Sequence, residues 1–159
     1  MSNTFYLKPL ERCDHNDVRE IYTEAIESQG KGFYTPEQIR CWADLAWLPG
    51  FLDRALIEGK GWISVENENP QAFAVRYPFH RLALLYCRGV FARRGHATAL
   101  LDRVELEACQ EGHSRLVTEV SLLSYSLLLR REWVLLKAET IYISGVEFDR
   151  FRMQKILNN

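Results

Sequence analysis

Apolar positions recur along this chain in two rhythms, and the alternation between them lays out the elements. Val18, Ile21, Tyr22, Ala25 and Ile26 keep helical spacing behind Asp14, which is placed to cap them, and Gln29-Gly30-Lys31-Gly32 breaks the run. Thr35-Pro36-Glu37-Gln38 reads as a capping box with proline at the first helical position. The helix it opens carries Ile39, Trp42, Ala43 and Ala46 and stops before Pro49-Gly50, with a short amphipathic piece over 51–57 behind it. Ala97, Leu100, Leu101, Val104 and Ala108 form another stripe, with Asp102, Arg103, Glu105 and Glu107 opposite and Gly112 as the stop. A short leucine-rich helix is expected over 124–131.

Strand-like runs fill the intervals. Residues 5–10 suit a first strand, with Pro9 marking its end or an edge position. Residues 62–66 and 72–77 read as a hairpin joined across Asn67-Glu68-Asn69-Pro70. Residues 81–87 are apolar almost throughout, so that strand should be covered on both faces. A strand over 115–121 precedes the leucine-rich helix, and 133–143 with 146–153 make a last hairpin turning at Ser144-Gly145. This order implies a mixed α/β layered domain around one central sheet. No repeat or linker divides the 159 residues, so 1–159 is read as a single domain.

Composition narrows the function classes. A chain that is 47% hydrophobic and 26% charged is not disordered. Lys+Arg 20 against Asp+Glu 21 gives a net charge of -1, so no global field draws nucleic acid or an anionic membrane, and neither is expected as a partner. The apolar stretches Leu82-Ala83-Leu84-Leu85-Tyr86-Cys87 and Leu127-Leu128-Leu129 are too short to span a bilayer, and Met1-Ser2-Asn3-Thr4-Phe5-Tyr6 lacks the pattern of an export signal. A cytoplasmic location is the expectation. Cys13, Cys41, Cys87 and Cys109 form no Cys-x-x-Cys pair and His15, His80, His96 and His113 are scattered, so reduced thiols and no metal are expected.

Chemistry concentrates between the 81–87 strand and the helix behind it, in Arg88-Gly89-Val90-Phe91-Ala92-Arg93-Arg94-Gly95-His96-Ala97-Thr98. A strand that runs into a basic, glycine-containing loop opening directly into a helix is an anion site in physical terms. Helix N-terminal amides and the positive end of the dipole converge there. Gly95 and the small Ala97 let a ligand approach the backbone, and Arg93 and Arg94 can add charge-assisted contacts to phosphate oxygens. Small residues at a helix start also serve tight packing, and paired arginines are often a solvated surface. The placement between a buried strand and an amphipathic helix favours phosphate.

Arg94-Gly95-His96-Ala97 resembles the back half of the Gln/Arg-x-x-Gly-x-Gly/Ala loop of the GNAT superfamily of N-acetyltransferases, with Ala92 standing where the first Gln or Arg is expected. Tyr34-Thr35-Pro36-Glu37-Gln38-Ile39 with Trp42-Ala43 is similar to the second helix of a bacterial subgroup. Thr118-Glu119-Val120-Ser121 and Arg130-Arg131-Glu132-Trp133 are similar to its later elements. The resemblance implies a sheet of about seven strands flanked by about four helices, with a wedge between strands four and five. It further implies acetyl-CoA as co-substrate, its diphosphate gripped in a cup of backbone amides between Phe91 and Thr98, with Arg93, Arg94, Gly95, His96, Ala97 and Thr98 as the contact residues. The pantetheine arm would lie along backbone groups of Leu85, Tyr86 and Cys87.

The implied reaction is direct attack of a primary amine of a small molecule or protein on the thioester. Glu119 is the candidate base, against its reading as an exposed carboxylate paired with a lysine or arginine. Leu128 falls where family members carry a proton-donating tyrosine. Tyr125, one helical turn earlier, can substitute, and Ser124 can bond the coenzyme. Cys87 reads as a packing residue. Tyr34, Trp42, Glu24 and Gln29 are acceptor-wall candidates, with Glu24 or Glu27 able to meet a cationic amine. The alternative is a non-catalytic acyl-CoA-binding sensor or regulatory module. An exposed terminal strand is open to pairing in a homodimer.

Overall fold

The computed structural model describes residues 4–158; Met1, Ser2 and Asn3, which open the segment read as lacking an export signal, and Asn159 lie outside the described residues. Strand β1 (Phe5–Pro9) leads into helix α1 (His15–Gln29), and the apolar stripe of α1 is wholly buried. Asp14 occupies the cap position, but its carboxylate accepts from the Glu11 amide at 2.8 Å and from Lys8 at 2.9 Å, closing a 3-10 turn over Arg12–Asp14. Helix α2 (Pro36–Ala43) opens on the expected capping box: Gln38 N–H donates to Thr35 Oγ1 at 3.1 Å and Thr35 N–H to Gln38 Oε1 at 2.9 Å. Ala46 falls in a following 3-10 turn, Asp44–Trp47, and α3 (Asp53–Glu58) is the short amphipathic piece, one of five α-helices among the described residues.

Strands β2 (Lys60–Glu66) and β3 (Asn69–Arg76) form a hairpin tighter than the sequence implied. Asn67 and Glu68 both take left-handed backbone, so Glu66 pairs directly with Asn69, and Pro70 lies inside β3 beside a bulge at Ser64/Val65. Then follow β4 (Arg81–Cys87), α4 (His96–Gln110), β5 (Arg115–Val120), α5 (Leu122–Arg130), β6 (Val134–Ile143) and β7 (Val146–Ile156). The seven strands form one sheet in the order β1-β2-β3-β4-β5-β7-β6, which puts β1, with its Pro9, at one edge and β6 at the other. Two cores cover its faces. Val18, Ile21, Ile26, Trp42, Phe73 and Phe148 pack under α1 and α2, and Leu82, Leu100, Leu101, Val104, Leu116, Leu128 and Trp133 pack under α4 and α5. No helix among the described residues is long and apolar enough to cross a membrane.

The sheet opens at its centre. β4 and β5 run parallel but pair only at Arg81↔Val117 and Leu82↔Thr118. The Thr118 hydroxyl donates to the Leu82 carbonyl at 2.6 Å, and β4 bulges at the next residue, Ala83, since Leu82 faces Arg76 while Leu84 faces Val75. Beyond that point β4 stays paired with β3 and β5 with β7, and the edge of β4 toward β5 has no ladder partner. Buried backbone groups demand partners, so this edge is built to receive one.

Candidate active site

The chain leaves β4 through a 3-10 turn (Gly89–Phe91) and enters α4 after two left-handed residues, Arg93 at φ 63° and Gly95 at φ 96°. The first bond of α4 is Ala99 N–H to the Gly95 carbonyl at 2.9 Å, so the His96, Ala97 and Thr98 amides precede the helical ladder and point out of its positive end. They border a cavity of about 620 Å³ that is also lined by Cys87, Ala92, Arg93, Gly95 and Arg130. The donor set suits a diphosphate: helix-end amides, a left-handed turn and guanidinium groups.

The expected cup is narrower than 91–98. Phe91 N–H donates to the Arg88 carbonyl at 3.0 Å and Ala92 N–H to Gly89 at 3.1 Å, so those two amides are consumed in the 3-10 turn. The reason for Gly95 also changes. A Cβ there would lie 3.9 Å from the Phe5 ring, in ordinary contact and directed at the protein, so the glycine is required by its positive φ and not by a ligand's approach.

His96 and Arg94 have work inside the protein. The His96 side chain is fully buried, stacked on Phe5 with ring centroids 4.2 Å apart. Its Nε2–H donates to Glu66 Oε1 at 2.6 Å, since an ionised carboxylate only accepts, and Nδ1 meets the Ser64 hydroxyl. Arg94 Nη1 donates to Glu66 Oε2 at 2.8 Å, with the guanidinium over Phe91. These two side chains therefore clamp the start of α4 to β2. Arg93 lines the cavity, and Arg130 on α5 is a second cavity cation the sequence reading missed. Its signal was legible: Leu122, Leu123, Ser126, Leu127 and Arg130 recur at helical spacing along one face of α5, and all line this cavity.

Along β4 the ladder fixes which backbone groups face the opening. Arg88 N–H bonds the Gln71 carbonyl of the neighbouring strand. Groups alternate sides in an antiparallel ladder, so Tyr86 spends its N–H and C=O on Phe73, while Leu85 and Cys87 face the gap. Tyr86 is thus a wall side chain and not a backbone contact. The Cys87 carbonyl accepts from Gln29 Nε2 at 2.5 Å, which removes Gln29 from the acceptor wall. Burial, and then the nearby Glu24 and Glu66 charges, push the Cys87 thiol up to about 12, so it stays protonated and is no nucleophile. Glu24 accepts from Gly89 N–H at 3.1 Å, which occupies it in the loop before α4.

A second cavity, of about 190 Å³, adjoins the first where Tyr86 gives way to Cys87 and Ser121 to Leu122. Glu119 lines it, on the face of β5 opposite the buried Leu116, Thr118 and Val120. Glu119 Oε2 accepts from Arg81 Nε at 2.9 Å, while Oε1 lies 4.0 Å from Arg152, beyond a hydrogen bond. Ser124 lines this cavity and not the cup. Tyr125 lines neither: its ring stacks on Phe151 at 4.4 Å on the far side of α5, and Leu128 is sealed in the core beside it. Tyr22, Tyr34 and Tyr86 line the second cavity instead, and the Tyr34 hydroxyl sits at the start of α5, where it accepts from Leu122 N–H at 3.0 Å. Burial raises its pKa, so at neutral pH it is a phenol able to donate.

No family model matches this chain. It is 23% identical over 155 residues, 96% of either chain, to an uncharacterized N-acetyltransferase, YafP, of Escherichia coli K12. Its structure superposes on a GCN5-related N-acetyltransferase from Rhodopseudomonas palustris with a TM-score of 0.92 at 24% identity, covering 99% of this chain and 98% of that one. It also matches a PaiA N-acetyltransferase from Thermoplasma acidophilum in complex with coenzyme A, with a TM-score of 0.74 at 16% identity over 96% and 99% of the two chains.

Proposed function

We propose that this chain, whose fold is that of the GNAT superfamily, is an acyltransferase that moves an acetyl group from acetyl-CoA to a primary amine. The observation that carries the reading is the opening between β4 and β5, with a diphosphate cup at one mouth and a carboxylate-bearing cavity at the other. Acetyl-CoA, when bound, supplies an activated thioester carbonyl whose attack by an amine yields an amide and a free thiol.

The chain's own part is mostly positioning. Backbone amides of residues 95–98 hold the diphosphate, with Arg93 and Arg130 adding charge. Leu85 N–H, facing the gap without a ladder partner, polarises the carbonyl. Glu119 Oε1 takes the proton lost by the amine, and Arg81 fixes the carboxylate through its other oxygen. Tyr34 Oη–H supplies the proton that the departing sulfur needs, the role first expected of Tyr125. Ser124, beside Glu119 in the same cavity, orients the acceptor end of the opening.

Calorimetry with acetyl-CoA and a thiol-release assay over an amine panel test this reading. Binding together with release above background on at least one amine is the expected result. Binding with no release on any amine would leave only an acyl-CoA sensor, and no binding would remove the coenzyme altogether. Glu119→Gln should lower kcat roughly 10²–10⁴-fold, the contribution of a positioned acid–base group, while leaving acetyl-CoA affinity within about twofold.

A further inference from the structure

We infer that the acceptor is a compact amine with an apolar, ring-sized body; this rests on the acetyl-transfer reading above. The walls of the 190 Å³ cavity beyond the opening are Trp42, Leu45, Phe51, Ile141, Ile143 and Phe148, contributed by α2, the segment behind it and the last hairpin. An apolar cavity of about 150 Å³ takes one benzene ring. Part of this cavity lies along β4 and β5, where the thioester must reach, so the remaining space admits a single ring or its aliphatic equivalent.

The charged groups that line the cavity are Glu119, Asp149 and Arg150, of which Glu119 pairs with Arg81 and Arg150 with Glu139. Glu119 Oε1 is left to meet the reacting amine, and the rest of the acceptor meets mainly apolar side chains.

Several wall groups are tied to the protein's own backbone: the Thr118 hydroxyl donates to the Leu82 carbonyl, Tyr34 Oη accepts from Leu122 N–H, and Ser121 Oγ accepts from Leu123 N–H at 3.1 Å. These bonds fix the polar rim of the cavity and leave the body of the acceptor to the apolar side chains.

The test compares kcat/KM for 2-phenylethylamine, spermidine, glucosamine and an alanyl peptide with the full chain and saturating acetyl-CoA. The expected result is a preference of at least tenfold for 2-phenylethylamine over each of the others, the discrimination an apolar pocket can supply. Ile141→Asp should cut 2-phenylethylamine turnover about tenfold and favour spermidine, with acetyl-CoA affinity unchanged; Ile141→Ser, milder for folding, should show the first effect at about threefold. Preference of the wild type for spermidine, glucosamine or the peptide overturns the inference while acetyl transfer stands. Absence of acetyl-CoA binding in calorimetry brings down the transfer reading itself, and the inference with it.

Discussion

At one mouth of the β4–β5 opening the chain presents backbone: amides at the start of α4, held by a buried clamp of Ser64, His96 and Glu66. At the other it presents side chains drawn from α1, α2, β4, β5 and the last hairpin. The first mouth depends on one short segment taking one conformation. The second depends on long-range packing, so a single substitution there reshapes a wall without touching the diphosphate cup. The difference teaches where each function is vulnerable: coenzyme grip to backbone geometry, acceptor choice to side-chain shape.

Substitutions that strike one mouth only would sharpen this contrast, and ones that strike both would break it. Gly95→Glu has the largest expected effect: it forces a β-carbon into a left-handed position and sets a carboxylate beside the cup, so acetyl-CoA affinity should fall at least a hundredfold by calorimetry. Gly95→Ala isolates the strain, of about 1–2 kcal/mol, and should cost roughly tenfold. At the other mouth, Tyr34→Phe should lower kcat about a hundredfold with acetyl-CoA affinity unchanged, since it removes the proton donor and, of the fold's contacts, only the bond from Leu122 N–H. If affinity falls in parallel, the two mouths are one coupled unit and the contrast fails.

Glu66→Gln probes the clamp behind the cup. It weakens the support of His96 and Arg94 at once, so we expect about 2 kcal/mol less stability in urea unfolding and roughly tenfold weaker acetyl-CoA binding, with the amine preference order intact. A reordered amine panel would show that the clamp shapes the acceptor side as well.

Acid has the smallest expected effect on either mouth. Hydrogen bonds from Arg76, and then from Lys60, hold the Glu111 carboxyl down at about 2, far from both cavities. A depressed carboxyl stabilises the fold fully above its unfolded value near 4.5 and loses that contribution as pH falls toward 2. Unfolding free energy should therefore drop by about 2 kcal/mol across that window, after allowance for solvent screening. Glu111→Gln should remove most of the slope.

The helices and strands were legible because each carries its own period or punctuation. The Thr35–Gln38 capping box, the stripes of α1 and α4 and the Ser144-Gly145 turn need only neighbours within a few residues. The α4 loop was legible for the same reason, although the roles of its side chains were not. His96 and Arg94 are committed to Glu66, about thirty residues away, and no local pattern announces that partner. Tyr125 and Tyr34 show the same limit. One helical turn of phase put the first against Phe151, and a contact spanning 88 residues brought the second to the start of α5.

The amino-acid order alone determined the sequence of elements, the glycine-bearing basic loop that opens α4 and the burial of one face of each helix, because these follow from short-range sterics, capping and hydrophobic period. The tertiary structure decided that β4 and β5 part after Leu82, that Glu119 lines the cavity beside them and that Arg81 pairs with it. Those outcomes depend on strand register and on the distances between charges far apart in the chain. Register and distance are properties of the packed whole, and no stretch of the sequence carries them by itself.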